Sequence, residues 1–183
     1  MSLFMAHITT SVEYAIHGLL WLVDNDKPLS SRDIADLQVI SPSFLAKIFP
    51  KLQKAGIVVA SDGVRGGYRL ARSADTISFL DIVDAIEGDK PLFDCQEVRS
   101  HCAAFGGPAP GWAVEGTCAV HAVMQQAEKA MRQALAAHTL ADVATRFGRK
   151  APKQFFADVQ GWIEQRIDTR TARVGRRSNE PPP

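Results

Sequence analysis

Apolar residues recur every three or four positions along most of the chain, and one short stretch breaks that rhythm. Over residues 10–23, Val12, Ala15, Ile16, Leu19, Leu20 and Val23 keep helical spacing. Ser30, with Asp33 three residues on, makes a capping-box start to a short helix that holds Ile34 and Leu37. Ser41 as N-cap and Pro42 at the first helical position open a third helix. Its stripe is Phe44, Leu45, Ile48, Phe49 and Leu52, and Gly56 ends it. Pro50 lacks an amide hydrogen and crowds the preceding turn, so a kink or an early end is expected there.

The period then changes. Residues 57–60, "IVVA", and 67–71, "GYRLA", read as two strands joined by the tight hairpin "VRGGYRL". Gly66 and Gly67 permit a turn at positive φ. Tyr68 and Leu70 share one strand face and Arg69 takes the other, leaving Arg65 at the tip. Helical spacing returns at a second capping box, Ser78 and Asp81, with Phe79, Ile82, Val83 and Ile86 buried and Gly88 closing. A long helix begins at Cys118 and carries Val120, Val123, Met124, Ala127, Ala130, Met131 and Leu135. Thr139 with Asp142 caps a short helix stopped at Gly148. A last helix after Pro152 sets Phe155, Phe156, Val159, Trp162, Ile163 and Ile167 on one side, ahead of the polar, disorder-prone segment 171–183.

Three helices followed by a β-hairpin is the order of a winged helix-turn-helix, so the fold class is mainly α with a small β-hairpin wing. In that arrangement the third helix enters the major groove and the wing reaches an adjacent groove or the backbone. Local charge fits. From Ser41 to Arg72 six basic residues face Asp62 alone, whereas from Ser73 to Phe105 seven acids face Lys90 and Arg99. The formal net charge of +1 therefore conceals a dipolar chain. Arg65 is placed to enter a minor groove or bind phosphate, where the glycines let the backbone approach closely.

Other classes fall away. No apolar run nears the roughly 18 residues of a membrane span, and no signal-peptide pattern opens the chain. Met5 is a candidate start, with residues 1–4 a leader. Three cysteines suit no secreted disulfide framework, so a cytoplasmic location is expected. No nucleophile elbow, phosphate loop or paired catalytic carboxylates speak for an enzyme. A thiol oxidoreductase is the remote alternative, and it would need a reactive cysteine beside a base.

The segments "YAIHGLLWL", "SRDIADLQVISPSFLAKIFPKLQKAGIV", "GGYRLAR", "ISFLDIVDAIEG" and "HTLADV", in that order, resemble the bacterial winged-helix regulators of the IscR/NsrR/CymR family over about residues 6–145. The resemblance implies a homodimeric DNA-binding regulator of transcription, expected to be a repressor on a palindromic double-stranded operator. It divides the chain into a DNA-binding domain at 6–88, a sensor loop at 89–117, a dimerisation helix and following short helix at 118–148, and a C-terminal helix at 149–170. Carried over residue by residue, the DNA contacts are Ser41, Ser43, Phe44 and Lys47, with Lys51 nearer the backbone and Arg65 on the wing. Many relatives have glutamate where Ala46 stands, a carboxylate that could accept from a cytosine amino group. Some have arginine where Asp62 stands.

Many members of that family hold a [2Fe–2S] cluster on three cysteines in the loop before the long helix. Here the candidates are Cys95, Cys102 and Cys118, with the Gly/Pro-rich 103–117 segment inserted between the last two. Thiolates are the ligands such clusters take, and a helix N-terminus favours the thiolate of Cys118. His121, one turn on from Cys118, matches the ligating histidine of cluster-bearing relatives. Glu13 matches the position from which other relatives supply a carboxylate from the partner subunit, and His101 is a third candidate. Three readings stay open beside the cluster: zinc on three cysteines and a histidine, a thiol switch through Cys95 and Cys102, and a cluster-free member sensing a metabolite or a partner protein.

Overall fold

The computed structural model describes residues 8–63, 65–88 and 90–177; the candidate start at Met5 and residues 178–183 of the expected disordered segment lie outside these. Helix α1 spans Thr10–Leu20, capped by the Thr9 side chain. It stops three residues before the apolar spacing does, in a run of turns. Helix α2, Ser31–Gln38, starts at the expected capping box: the Ser30 hydroxyl accepts from the Asp33 amide, and Asp33 accepts from the Ser30 amide at 3.0 Å. It ends at Val39 with φ 54°, a left-handed conformation that is costly for a β-branched residue. The Val39 amide bonds back to Ala35 and Asp36, which turns the chain sharply into α3, Pro42–Lys54.

Helix α3 continues past Pro50 to Lys54, so the early end expected there does not occur. Both Ala46, whose carbonyl loses its amide partner, and Pro50 are exposed, so water can serve that oxygen. Leu45, Ile48, Phe49 and Leu52 are buried on the opposite face and hold the helix in place.

Strands β1, Val58–Ser61, and β2, Gly67–Leu70, pair antiparallel with Val58 opposite Leu70 and Ser61 opposite Gly67. A third piece of edge was not visible in the sequence: Leu29 exchanges two backbone hydrogen bonds with Tyr68, at 2.7 and 3.1 Å. This explains Gly67, which sits at φ 157° and whose Cβ would lie 2.5 Å from the Leu29 carbonyl carbon. Gly66 is needed for space rather than for positive φ, because a Cβ there would meet the Ser61 oxygen at 2.2 Å.

Helix α4, Phe79–Glu87, closes the winged domain on α1 and α3 and ends at Gly88 as expected. Short turns lead through the loop to α5, Gly111–Val114, and then to α6, Ala119–Ala136. Helix α7, Leu140–Lys150, passes Gly148 without stopping. The stop comes instead from Pro152, which holds Ala151 extended at ψ 138°. Helix α8 runs from Lys153 to Arg177, seven residues beyond the expected end. One core joins all of this, from Val12, Leu19 and Phe49 to Leu140 of α7 and Ile163 of α8.

Three helices share one start device, an aspartate three residues after a Ser or Thr cap. At α7 the Thr139 amide and hydroxyl hold the Asp142 carboxyl below the usual carboxylate value of 3.8. A lowered folded-state value contributes stability above the unfolded value that is lost as pH falls through the folded one. Replacing Asp142 with Asn is therefore expected to flatten the acid limb of a stability–pH curve below about pH 4. Thermal unfolding scanned from pH 2 to 6 checks this.

Candidate nucleic-acid interface and sensor loop

The start of α3 presents polar groups that its own fold does not use. Ser41 is the N-cap by position, yet its side chain makes no cap bond; its hydroxyl lies 2.8 Å from that of Ser43, and both residues are exposed. Lys47 is exposed one turn further on. Two hydroxyls and an ammonium form an edge suited to phosphate and base-edge acceptors. Phe44, expected among the DNA contacts, is half-buried and packs edge-on against Tyr14 with ring centroids 5.3 Å apart, so it anchors α3 to α1. Lys51 is drawn away as well: its ammonium donates to the Ile86 carbonyl at 2.8 Å, at the C-terminus of α4.

Arg65 is exposed at the wing tip and lines a cleft with Lys27, Glu164 and Asp168. The C-terminal helix thus reaches the wing, which the sequence did not suggest. Replacing Arg65 with Ala is expected to weaken operator binding by about 1–3 kcal/mol while leaving the melting temperature unchanged. Gel-shift titration beside a thermal melt checks both.

The loop after α4 is folded back by one arginine. Arg99 donates to Glu97 at 2.8 Å and to the carbonyls of Glu115 and Gly116 at 3.3 and 2.6 Å, tying the end of the inserted segment to the loop just before it. Cys118 follows directly as the N-cap of α6. The backbone amides of His121 and Val120, helped by Arg99, hold its thiol below the ordinary cysteine value. The charge of Arg99 also reaches Cys95, whose sulfur lies 3.8 Å from a Glu97 oxygen. His121 shares its Nε2 with Gln125 at 2.8 Å, while its buried Nδ1 has no partner.

An iron–sulfur cluster fits this arrangement in part. A lowered thiol, a second thiol in reach of the same cation and an unpartnered imidazole nitrogen are suitable donor chemistry. These donors are not gathered: Cys102 is exposed, and among the described residues no three His, Cys, Asp or Glu side chains, Cys95, Cys118 and His121 included, lie closely enough to hold a metal. His101 and Glu13 are exposed too, on the loop and on α1.

Helix-turn-helix, wing and trailing helix define the class: a winged helix-turn-helix protein with a cysteine-bearing loop. The family described as "Rrf2: Iron-dependent Transcriptional regulator" matches residues 8–146, and the chain belongs to that family of transcriptional regulators, not of enzymes. It is 34% identical over 132 residues to protein rrf2 of Nitratidesulfovibrio vulgaris, covering 72% of this chain and 77% of that protein. It is 36% identical over 91 residues to the HTH-type transcriptional regulator IscR of Vibrio vulnificus, covering 49% of this chain and 54% of that relative, about half its length. In fold it is similar to CymR, the global cysteine regulator of B. subtilis (TM-score 0.60, 23% identity, 78% of this chain and 98% of that one). It is equally similar to T. potens IscR (TM-score 0.60, 23% identity, 85% and 99%). Among the described residues no helix is long and apolar enough to cross a membrane.

Proposed function

We propose that the chain binds a palindromic operator as a homodimer and represses transcription there, with affinity set by the state of the cysteine loop. The observation that carries the DNA reading is the exposed edge of Ser41, Ser43 and Lys47 beside a wing tipped by Arg65. The dimer reading rests on α6. This helix buries none of its residues within the chain, and Val120 and Val123 are 63% and 64% exposed. A second copy of α6 is the partner that would cover the stripe. At its other side, Arg132 grips Asp84 of α4 through two bonds of 3.0 and 2.8 Å, so the helix that pairs the subunits also fixes the winged domain.

The loop would hold a [2Fe–2S] cluster on Cys95, Cys102, Cys118 and His121, with Glu13 as the alternative fourth donor, and the loop would have to close to bring them together. The bound cluster would supply a redox-active or ligand-labile centre. The chain's own part is order: Arg99 pins residues 97–116, and Leu92, donating to Glu128 at 3.1 Å, ties the loop's start to α6. Loss of that order would loosen the seat of the dimer helix. Protein purified without air is expected to be coloured, with about two iron and two sulfide per chain, and Cys102→Ala to lose both. Stoichiometric zinc in a colourless protein would favour the zinc reading. Metal-free anaerobic protein would leave thiol or metabolite sensing.

A further inference from the structure

We infer that the cavity between α1, α7 and α8 is a binding site for a small, largely apolar aromatic molecule, and that α8 transmits its occupancy to the helix-turn-helix. The cavity measures about 600 Å³, within the range of small-molecule sites. Its walls are Trp21, Phe147, Phe156, Val159 and Ile163, and four polar side chains join them: His17, Asp24, Thr145 and Gln160. That composition selects a planar apolar body carrying one or two hydrogen-bonding groups.

The aromatic wall is built rather than incidental. Phe147, Phe155 and Phe156 meet edge to face at 5.7–5.9 Å, and Trp21 lies tilted against Phe155 at 6.3 Å. Gly148 sits on the lining with open space where a Cβ would be. A glycine costs a helix about 1 kcal/mol against alanine. Here it keeps the cavity's rim low.

The route to DNA is the same helix one turn further on. Ile163 lines the cavity and is fully buried; Glu164 pairs with Lys27, Arg166 with Asp36, and Arg170 with Asp33 at 2.9 Å. Asp33 is the capping residue of α2, the first helix of the helix-turn-helix. A molecule seated under Phe156 and Val159 displaces α8 where those pairs are anchored. The device rests on the DNA-binding reading for its output, whereas binding itself does not.

The test uses the full chain and the neutral fluorescent probe N-phenyl-1-naphthylamine. Saturable enhancement with one site per chain is expected, abolished by Gly148→Phe and by Ala144→Phe, each shown folded by its melting curve. Gly148→Phe adds bulk only at the open rim, so the test survives if the Ala144 variant fails to fold. Arg170→Ala is expected to keep probe binding. In wild type, saturating probe is expected to shift operator affinity about 5-fold or more, and Arg170→Ala to lose that response. No saturable binding, or binding unchanged in Gly148→Phe, overturns the site. Binding that leaves operator affinity unmoved overturns the effector role. Failure to bind any operator without probe would instead count against the DNA reading.

Discussion

Replacing Asp33 with Ala is expected to lower the unfolding free energy by about 3 kcal/mol, the largest loss from any single polar residue of the winged domain. Asp33 is 2% exposed and does two jobs with one carboxylate. It accepts from the Ser30 amide and hydroxyl at 3.0 and 2.6 Å, closing the α2 cap, a device worth about 1 kcal/mol. It also receives Arg170 at 2.9 Å and Arg166 at 3.7 Å. Arg166 keeps Asp36 as a partner and the two arginine side chains are 26% and 39% exposed, so the loss stays at the low end of the roughly 3–5 kcal/mol of a fully buried pair. Asp33→Asn keeps acceptors for the cap and should fall between. Urea unfolding at neutral pH measures both, and a loss below 1 kcal/mol for the alanine variant would mean that α8 does not lean on α2.

The second large effect is electrostatic. Raising salt from 50 to 200 mM is expected to weaken operator binding about 10³-fold. Lys47, Lys54 and Arg65 are exposed on α3 and the wing, and a dimer doubles them to about six phosphate contacts, giving a log–log slope near −5. Lys51 does not enter that count, because its ammonium is held by Ile86. Lys47→Ala should flatten the slope by about 2 per dimer. A slope that ignores Lys47 would take α3 away from the phosphates.

The winged domain was legible because its signals are local. Capping boxes at Ser30, Ser78 and Thr139 fix helix starts within four residues, and a 3.6-residue stripe needs no partner to be recognised. Pro50 misled because its cost depends on whether the orphaned carbonyl faces water, and that is a tertiary fact. Gly148 misled for a related reason: a glycine stops a helix only where the chain has cause to turn, and Pro152 supplies that cause four residues later. The pairing of Leu29 with Tyr68 joins residues 39 apart, and no periodicity reports it.

The candidate site divides along the same line. Ser41, Ser43, Lys47 and Arg65 are exposed, whereas Phe44 packs on Tyr14 and Lys51 donates to Ile86. Of the three cysteines, Cys118 caps α6 with a lowered thiol, Cys102 is exposed, and among the described residues the three do not gather with His121. The latch of Arg99 on two carbonyls and the clamp of Arg166 and Arg170 on α2 carry no sequence motif. Their only trace is an arginine amid acids and an arginine-rich last helix.

On the proposed reading, two copies of this chain read DNA through α3 and the wing. Selection from random double-stranded DNA with the full-length, anaerobically purified protein, followed by footprinting of the enriched site, tests it most directly. The expected result is a two-fold symmetric site whose half-sites are about 10 bp apart, protected by a dimer and lost in Lys47→Ala with Arg65→Ala. Enrichment of no sequence, or of a site without symmetry bound by one chain, would contradict it.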